Sequence, residues 1–338
     1  MRPEPNAESA PEAPAAAPSR AKIIAAFAAI YVIWGSTYLA IAIAIQTAPP
    51  FLMAGVRFVI AGLLLYAWMR LRGAPRPSMP NWRAAAVVGG LLLLGGNGAV
   101  VWAEQRVPSG VAALIVATLP VWLVVMDWIR PNGTRPNGLV LAGLAMGLVG
   151  VGVLIGPATL AGGSRIDVLG ALVLMGGSIC WAAGSLYSKQ APLPKSSALG
   201  MAMQMLAGGA LLFAAGTVAG EWSTLDVVAI STASGGAILY LIVFGSLIGF
   251  TAYMWLLRVA PPARVATYAY VNPVVAVFLG WLVLGEAISA RTVIAAAIIV
   301  GAVALIVSAR SGGARAARRQ APEGSAVRAS VGRERPAA

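Results

Sequence analysis

The sequence predicts an all-α membrane protein: ten transmembrane helices arranged as two inverted five-helix repeats. Three observations carry this. Ten apolar stretches, near 23–45, 51–69, 84–103, 109–128, 138–156, 167–188, 197–219, 233–256, 264–284 and 289–308, are each long enough to cross a bilayer, which takes about 20 residues at a rise of about 1.5 Å. The composition is 59% hydrophobic and only 10% charged, with mean hydropathy +0.83, whereas soluble domains carry about 25% charged residues. The stretches also fall into two matching sets of five. A half with an odd number of spans enters on one face of the membrane and leaves on the other, so the second half inserts upside down relative to the first. Halves inverted in this way are an architecture of secondary transporters.

The elements follow in order along the chain. Residues 1–20 are rich in Ala, Pro and Glu, with Pro3, Pro5, Pro11, Pro14 and Pro18, and form a disordered tail because they cannot build a core. They do not resemble a cleavable leader, whose basic region would come first and whose apolar core would be shorter. The first repeat is expected over 21–157. In its first span Tyr31, Trp34 and Tyr38 share one helical face. The second span carries Arg57, and the third places Asn97, Val101 and Glu104 on one face at i, i+4 and i+7. The fourth span contains Pro120, Trp122 and Asp127. In the fifth, Gly143, Gly147, Gly150, Gly152 and Gly156 recur at spacings suited to close helix contact. The second repeat is expected over 166–308. Its sixth span carries Trp181 and Cys180, its eighth Tyr253, and its ninth Tyr268, Asn272 and Pro273. Residues 309–338 are expected to form a second, basic disordered tail.

Lys and Arg set the orientation. With the N-terminus inside, the inner loops carry ten basic residues: Arg70, Arg72, Arg76, Arg83, Arg130, Arg135, Lys189, Lys195, Arg258 and Arg264. The outer loops carry three, Arg106, Arg165 and Arg291. Both termini are therefore expected on the cytoplasmic side. The formal net charge of +13 follows from this bias and suits anionic lipid headgroups. No nucleic-acid module is visible, and no nucleic-acid partner is expected. The single cysteine excludes an intramolecular disulfide. With no histidine and few, scattered intramembrane acids, no metal set, cofactor or catalytic constellation is expected.

The internal repeat is clearest between the fourth and ninth spans. Residues 107–128, VPSGVAALIVATLPVWLVVMDW, align without gaps to 260–281, APPARVATYAYVNPVVAVFLGW. Pro108 meets Pro261, Ala113 meets Ala266, Pro120 meets Pro273 and Trp128 meets Trp281. The prolines and the tryptophan weigh most, since chance apolar matches are mostly Ala, Leu and Val. Proline within a span frees a carbonyl that lipid cannot satisfy, so it is tolerated beside protein or a watery cavity. Pro120 and Pro273 thus read either as a paired hinge or as packing kinks of common origin.

The segments NGAVVWAEQRVPSGVAALIVATLP (97–120) and FGSLIGFTAYMWLLRVAPPARVATYAYVNPVVAVFLGWLVLGE (244–286) resemble the EamA-type transporters of the drug/metabolite transporter superfamily, in its exporter branch. IWGSTY (33–38) and PPFLMAGVRF (49–58) add to the likeness, which covers about 20–310. The resemblance implies ten helices around a central cavity, lined chiefly by spans 1, 3, 4, 6, 8 and 9. It also implies efflux of small organic solutes across the bacterial inner membrane, by a monomer or homodimer.

On that reading the substrate cavity is expected to hold Trp34, Tyr38, Asn97, Trp122, Trp181, Tyr253, Tyr268 and Asn272. Such aromatic groups stack on planar or cationic solutes while offering hydrogen bonds. Their other reading is ordinary packing or an interfacial belt. Glu104 and Arg57 are the candidates for charge coupling. Glu104 either titrates with a proton or binds a cationic group, or it pairs with nearby Arg106. Arg57 either holds a carboxylate or pins span packing. Asp127 is expected to pair with Arg130 at the inner interface. An exporter, a passive facilitator and an intramembrane enzyme are the function classes weighed, and the missing catalytic set argues against the third.

Overall fold

The structure, a computed structural model, describes residues 19–131, 133, 135–155, 167–260, 262–265 and 267–320. The two expected tails therefore lie outside the described residues over 1–18 and 321–338, as do Arg165, Pro261 and Ala266. Among the described residues all regular structure is helical, and nine helices are long and apolar enough to cross a membrane, with Tyr268–Leu284 a shorter apolar helix.

In chain order these are α1 (Arg20–Ala44), α2 (Pro50–Leu71), α3 (Met79–Ala103), α4 (Ser109–Val116), α5 (Leu119–Ile129), α6 (Gly138–Ile155), α7 (Val168–Ser188) and α8 (Ser197–Val218). Helix α9 begins with Thr232–Tyr240, passes through the π-helical stretch Leu241–Ile248 and ends with Gly249–Val259. Then come α10 (Pro262–Val265), α11 (Tyr268–Leu284) and α12 (Ala290–Gln320). Helix α3 contains a matching π-helical stretch, Gly90–Asn97. The backbone of α12 stays helical to Gln320, beyond the last apolar stretch, which ends near 308.

The fourth apolar stretch is two helices, α4 and α5, divided at Ala117 and Thr118. Pro120 is the second residue of α5, where its missing N–H costs no intrahelical bond. Thr118 Oγ1 folds back to donate to Ile115 O at 2.6 Å. The ninth stretch is likewise divided, into α10 and α11, but its break comes before Tyr268 and Pro273 lies inside α11. The two prolines thus occupy different helical positions although the sequences align.

Helix starts are capped by nearby side chains. Ser231 Oγ accepts from Ser234 N at 3.1 Å at the start of α9, and Asn81 Oδ1 accepts from Ser78 N at 2.9 Å at the start of α3. Two starts are capped from a distance. Glu221, buried after α8, accepts from Phe51 N at 3.1 Å and Leu52 N at 2.8 Å at the head of α2. Glu286, after α11, accepts from Ser109 N at 2.7 Å, Ser109 Oγ at 2.6 Å and Gly110 N at 3.0 Å at the head of α4. Each carboxylate satisfies orphan N–H groups and complements the positive end of the helix dipole.

Small residues set the helix spacing. Helix α8 packs along α2 and α3, and α6 along α12. A Cβ on Gly89 would stand 2.5 Å from Gln204 O, a backbone atom that cannot turn aside. Gly143 and Gly150 would place a Cβ 2.6 Å from Ile306 and Ile299 respectively. Gly152, expected from its spacing to serve the same contact, has nothing within 4 Å. Gly156 lies outside the described residues.

Gly89→Val is expected to destabilise the detergent-purified protein by about 1–3 kcal/mol, the usual cost of overpacking. Gly152→Val is expected to leave the melting temperature near that of the parent, and a thermal-shift assay of the pair checks both. Asp167, which caps α7 ahead of the span, accepts from Gly170 N at 2.8 Å. This bond, helped by Arg106, holds its carboxyl below the usual carboxylate range. A depressed folded value stabilises above the unfolded value, about 3.9, and the gain is lost as pH falls through the folded value. Asp167→Asn should therefore lower stability at neutral pH and flatten its decline on acidification, read from melting curves between pH 7 and pH 3.

Candidate functional site

A cavity of about 660 Å³ lies among the helices, with walls from α1, α2, α3, α4, α5, α7, α8, α9 and α11. One wall is aromatic. The Trp34 ring lies 5.4 Å from Phe250, 5.2 Å from Tyr253 and 5.1 Å from Tyr268, and Tyr253 meets Tyr268 edge-on at 5.9 Å. These distances suit the edge-to-face and tilted pairing that ring quadrupoles favour. The indole Nε1 donates to Gly245 O at 3.3 Å. A Cβ on Gly249 would stand 2.5 Å from that nitrogen, so a glycine there lets the indole lie against α9. The π-helical stretch of α9 supplies the acceptor, and such stretches often mark functional sites.

The remaining wall is polar in patches. Arg57 is 4% exposed. Its Nε donates to Ser246 Oγ at 3.0 Å and its Cζ lies 4.6 Å from the Phe58 ring centre. The ion pairs among the described residues are Arg106 with Asp167 and Arg130 with Asp127, so Arg57 has no carboxylate partner there. Asn97 Oδ1 is buried without a donor. Asn272, with its amide turned to satisfy its neighbours, donates to Tyr268 O at 3.2 Å and Tyr31 O at 3.3 Å. The Tyr31 hydroxyl meets Thr267 Oγ1. Farther along, the lining reaches Lys189, Pro194 and Ser197, where α7 ends and α8 begins.

Of the residues singled out in the sequence, Trp34, Tyr38, Arg57, Asn97, Trp181, Tyr253, Tyr268 and Asn272 lie on this lining. Trp122 does not; its Nε1 donates to Thr118 Oγ1 at 3.2 Å, which folds the ring back along the α4–α5 break. Pro120 and Pro273 are also off the lining, and Pro273 is buried in α11. Glu104 is 9% exposed at the end of α3, and both carboxylate oxygens are buried without a hydrogen-bond partner. The pairing of Glu104 with Arg106 is not what forms. Arg106 Nη1 reaches Asp167 Oδ2 at 3.4 Å and its guanidinium lies over Trp102 at 4.9 Å. The turn after α3 turns Arg106 toward the capped head of α7 and leaves Glu104 facing inward. The expected pair of Arg130 with Asp127 is present at 2.7 Å.

Among the lining residues that the sequence reading did not single out are Thr37, Gln204 and Gly245. Gln204 had a usable signal, as the long polar side chain amid MAMQMLAG, and it is 8% exposed. Gly245 had none, because its role depends on where Trp34 and Arg57 reach across from other helices.

The model of the EamA-like transporter family matches residues 21–156 and again 168–308. An Escherichia coli K12 protein named as the uncharacterized inner membrane transporter YedA is 43% identical over 286 residues, covering 84% of this chain and 90% of that protein. A Bacillus subtilis protein named as the uncharacterized transporter YvbV is 26% identical over 297 residues, covering 85% and 92%. A probable amino-acid metabolite efflux pump of E. coli K12 is 24% identical over 287 residues, covering 80% and 89%. A solved crystal structure superposes with a TM-score of 0.57 at 24% identity, over 86% of this chain and 100% of that one, a likeness of fold alone.

Proposed function

The chain belongs to the EamA-like transporter family, and from that premise we propose that it is a multi-pass inner-membrane secondary transporter. It exports small organic metabolites, amino acids or drug-like solutes by alternating access. The observation that carries this reading is the cavity of about 660 Å³ with one aromatic wall and isolated polar groups, a volume that suits a small organic solute. The relatives named as an inner membrane transporter and as an amino-acid metabolite efflux pump support it.

In this reading ten spans form two inverted repeats, 21–157 and 166–308, with both termini cytoplasmic. Several features support the pairing of halves. The third and eighth spans, α3 and α9, each carry a π-helical stretch. The fourth and ninth are each divided into two helices. Glu221 ties the end of the seventh span to the second, and Glu286 ties the end of the ninth to the fourth. With the basic loops inside, the Lys189 end of the cavity faces the cytoplasm, and both carboxylate caps lie at the outer face. The structure then corresponds to a state open inward and latched outward.

Solute enters past Lys189 and Ser197 and rests among Trp34, Asn97, Trp181 and Tyr268. The halves rock about Pro120, at the α4–α5 break, and Pro273, inside α11, the head of α4 parts from Glu286, and the outer side opens. Glu104, buried and unpartnered, is the proton-coupling site, with Glu286 the carboxylate whose charge acts on it. The protein works as a monomer or homodimer.

Proteoliposomes loaded with labelled amino acids, aromatic amines and cationic drugs test this, with and without a pH gradient. One solute class should leave faster with the gradient, and Glu104→Gln should abolish that dependence. Flux indifferent to the gradient makes the protein a facilitator and removes the coupling role of Glu104. Pro120→Ala with Pro273→Ala should slow flux about tenfold by stiffening the α4–α5 junction and restoring a backbone hydrogen bond inside α11. Unchanged flux in the folded double variant overturns the hinge.

A further inference from the structure

The loop between α8 and α9, residues 219–231, turns apolar side chains outward on a well-bonded frame. Val218 ends α8, and Gly220, at φ 73° in the left-handed region that glycine adopts freely, turns the chain. Glu221 is buried at the root of the loop and caps α2. Ser223 N and Thr224 N donate to Gly220 O and Glu221 O. Asp226 Oδ1 accepts from Val228 N at 2.9 Å and Ala229 N at 3.3 Å, and Ser231 N donates to Thr47 Oγ1 at 3.0 Å. This frame holds the valines clear of the protein. Val228 is 95% exposed, and Val218 and Val227 are also largely exposed. Apolar groups presented together in this way mark a surface that meets another apolar phase.

Trp222 adds a second observation. Its ring is half exposed, yet it lies back along α8, stacked on Phe213 at 6.4 Å and 10°. Its Nε1 donates to Thr217 Oγ1 at 2.7 Å, and that hydroxyl donates to Phe213 O at 2.8 Å. In water an exposed indole N–H needs no protein partner, whereas beside lipid it does. The ring continues the outward face of α8, where Leu211, Ala214 and Val218 are exposed at i, i+3 and i+7. The apolar surface of the loop is thus continuous with the outer surface of the span. A protein partner is the poorer occupant, since three valines and one indole fall far short of the about 20–30 residues a side of a stable protein interface.

We infer that this loop is a lipid anchor: Val218, Trp222, Val227 and Val228 enter the headgroup–acyl boundary of the leaflet that, on the proposed orientation, is the outer one. Trp222 lies at the boundary, Val227 and Val228 reach into the upper acyl chains, and the Asp226 carboxylate stays among headgroups and water. The anchor is rooted on Glu221, so it fixes in the membrane the α2–α8 side of the protein, which close glycine contacts already hold together. It goes beyond the exporter reading and stands or falls without it.

Spin labels on single cysteines measure the depth of the loop. In the full chain with Cys180, its one cysteine, replaced by Ala, labels are placed through Val227→Cys and Val228→Cys. Leu63→Cys, on the exposed face of α2, and Gln105→Cys, in the exposed turn after α3, supply the lipid and water references. In lipid nanodiscs, which leave both membrane faces open, collisions with oxygen relative to a water-soluble nickel chelate should be severalfold more frequent at the two valine positions than at Gln105, and close to those at Leu63. A ratio equal to that at Gln105 overturns the anchor. So does protection from both reagents with dipolar broadening between labels, the sign of a second copy on the loop. If the Cys180→Ala protein does not fold, Trp222→Phe in the parent chain decides, because it keeps a ring on Phe213. The fluorescence that this variant loses should be quenched by lipids brominated near the top of the acyl chain and spared by aqueous iodide. Iodide quenching of that component with no effect of the brominated lipid overturns the anchor.

Discussion

Lipid offers no hydrogen bonds, and this constraint governs the rest of the molecule. Every backbone N–H and C=O within the bilayer must find a partner inside the protein, so the spans are helical and interruptions survive only where protein or a cavity surrounds them. The divided spans α4–α5 and α10–α11 obey this. Thr118 turns its hydroxyl back to Ile115 O beside the first break, and Thr267 does the same to Arg264 O beside the second. Helix heads obey it too. Where local sequence supplies a serine or aspartate, that residue caps its own helix. Where α2 and α4 begin on prolines without a capping side chain, Glu221 and Glu286 arrive from the other half. A need for backbone partners thus becomes a tie between segments about 170 residues apart in sequence.

Because lipid also removes the usual hydrophobic drive for helix association, close packing carries that task. Gly89 against Gln204, Gly208 against Gly89 and Gly209 against Val59 bring α8 close to α2 and α3. That tight bundle frames a cavity whose own wall is less regular. The π-helical stretches of α3 and α9 lie on it, one ending at Asn97 and the other containing Gly245 and Ser246. Local irregularity, buried polar atoms and the aromatic cluster coincide in one place. Elsewhere most of the packed surface is apolar, and Glu221 and Glu286 are satisfied as caps while Glu104 is left unpartnered.

Much of this was legible in the chain. Apolar length and low charge announce the membrane-spanning helices. Depth and helical face place Trp34, Tyr38, Tyr253 and Tyr268 near a common lining. The same logic misplaces Trp122, because a tryptophan two residues after a proline has its direction set by how the helix restarts. It also offers Arg106 as the partner of Glu104, since neighbours in sequence are easy to pair on paper. The turn after α3 separates them, and Asp167, which is 61 positions away from Arg106, takes the arginine.

By itself, the sequence determined a membrane protein of many apolar helices with a family likeness spread over most of its length. Those properties are sums over local composition and period, and one-dimensional order suffices to express them. Which polar groups are satisfied was decided only by the tertiary structure. Glu286 at the head of α4, Gly245 beneath Arg57, and the orphaned Asn97 Oδ1 are each defined by atoms from another helix. Partners of this kind are set by how rigid helices cross, and a chain read in one dimension contains no crossing angle.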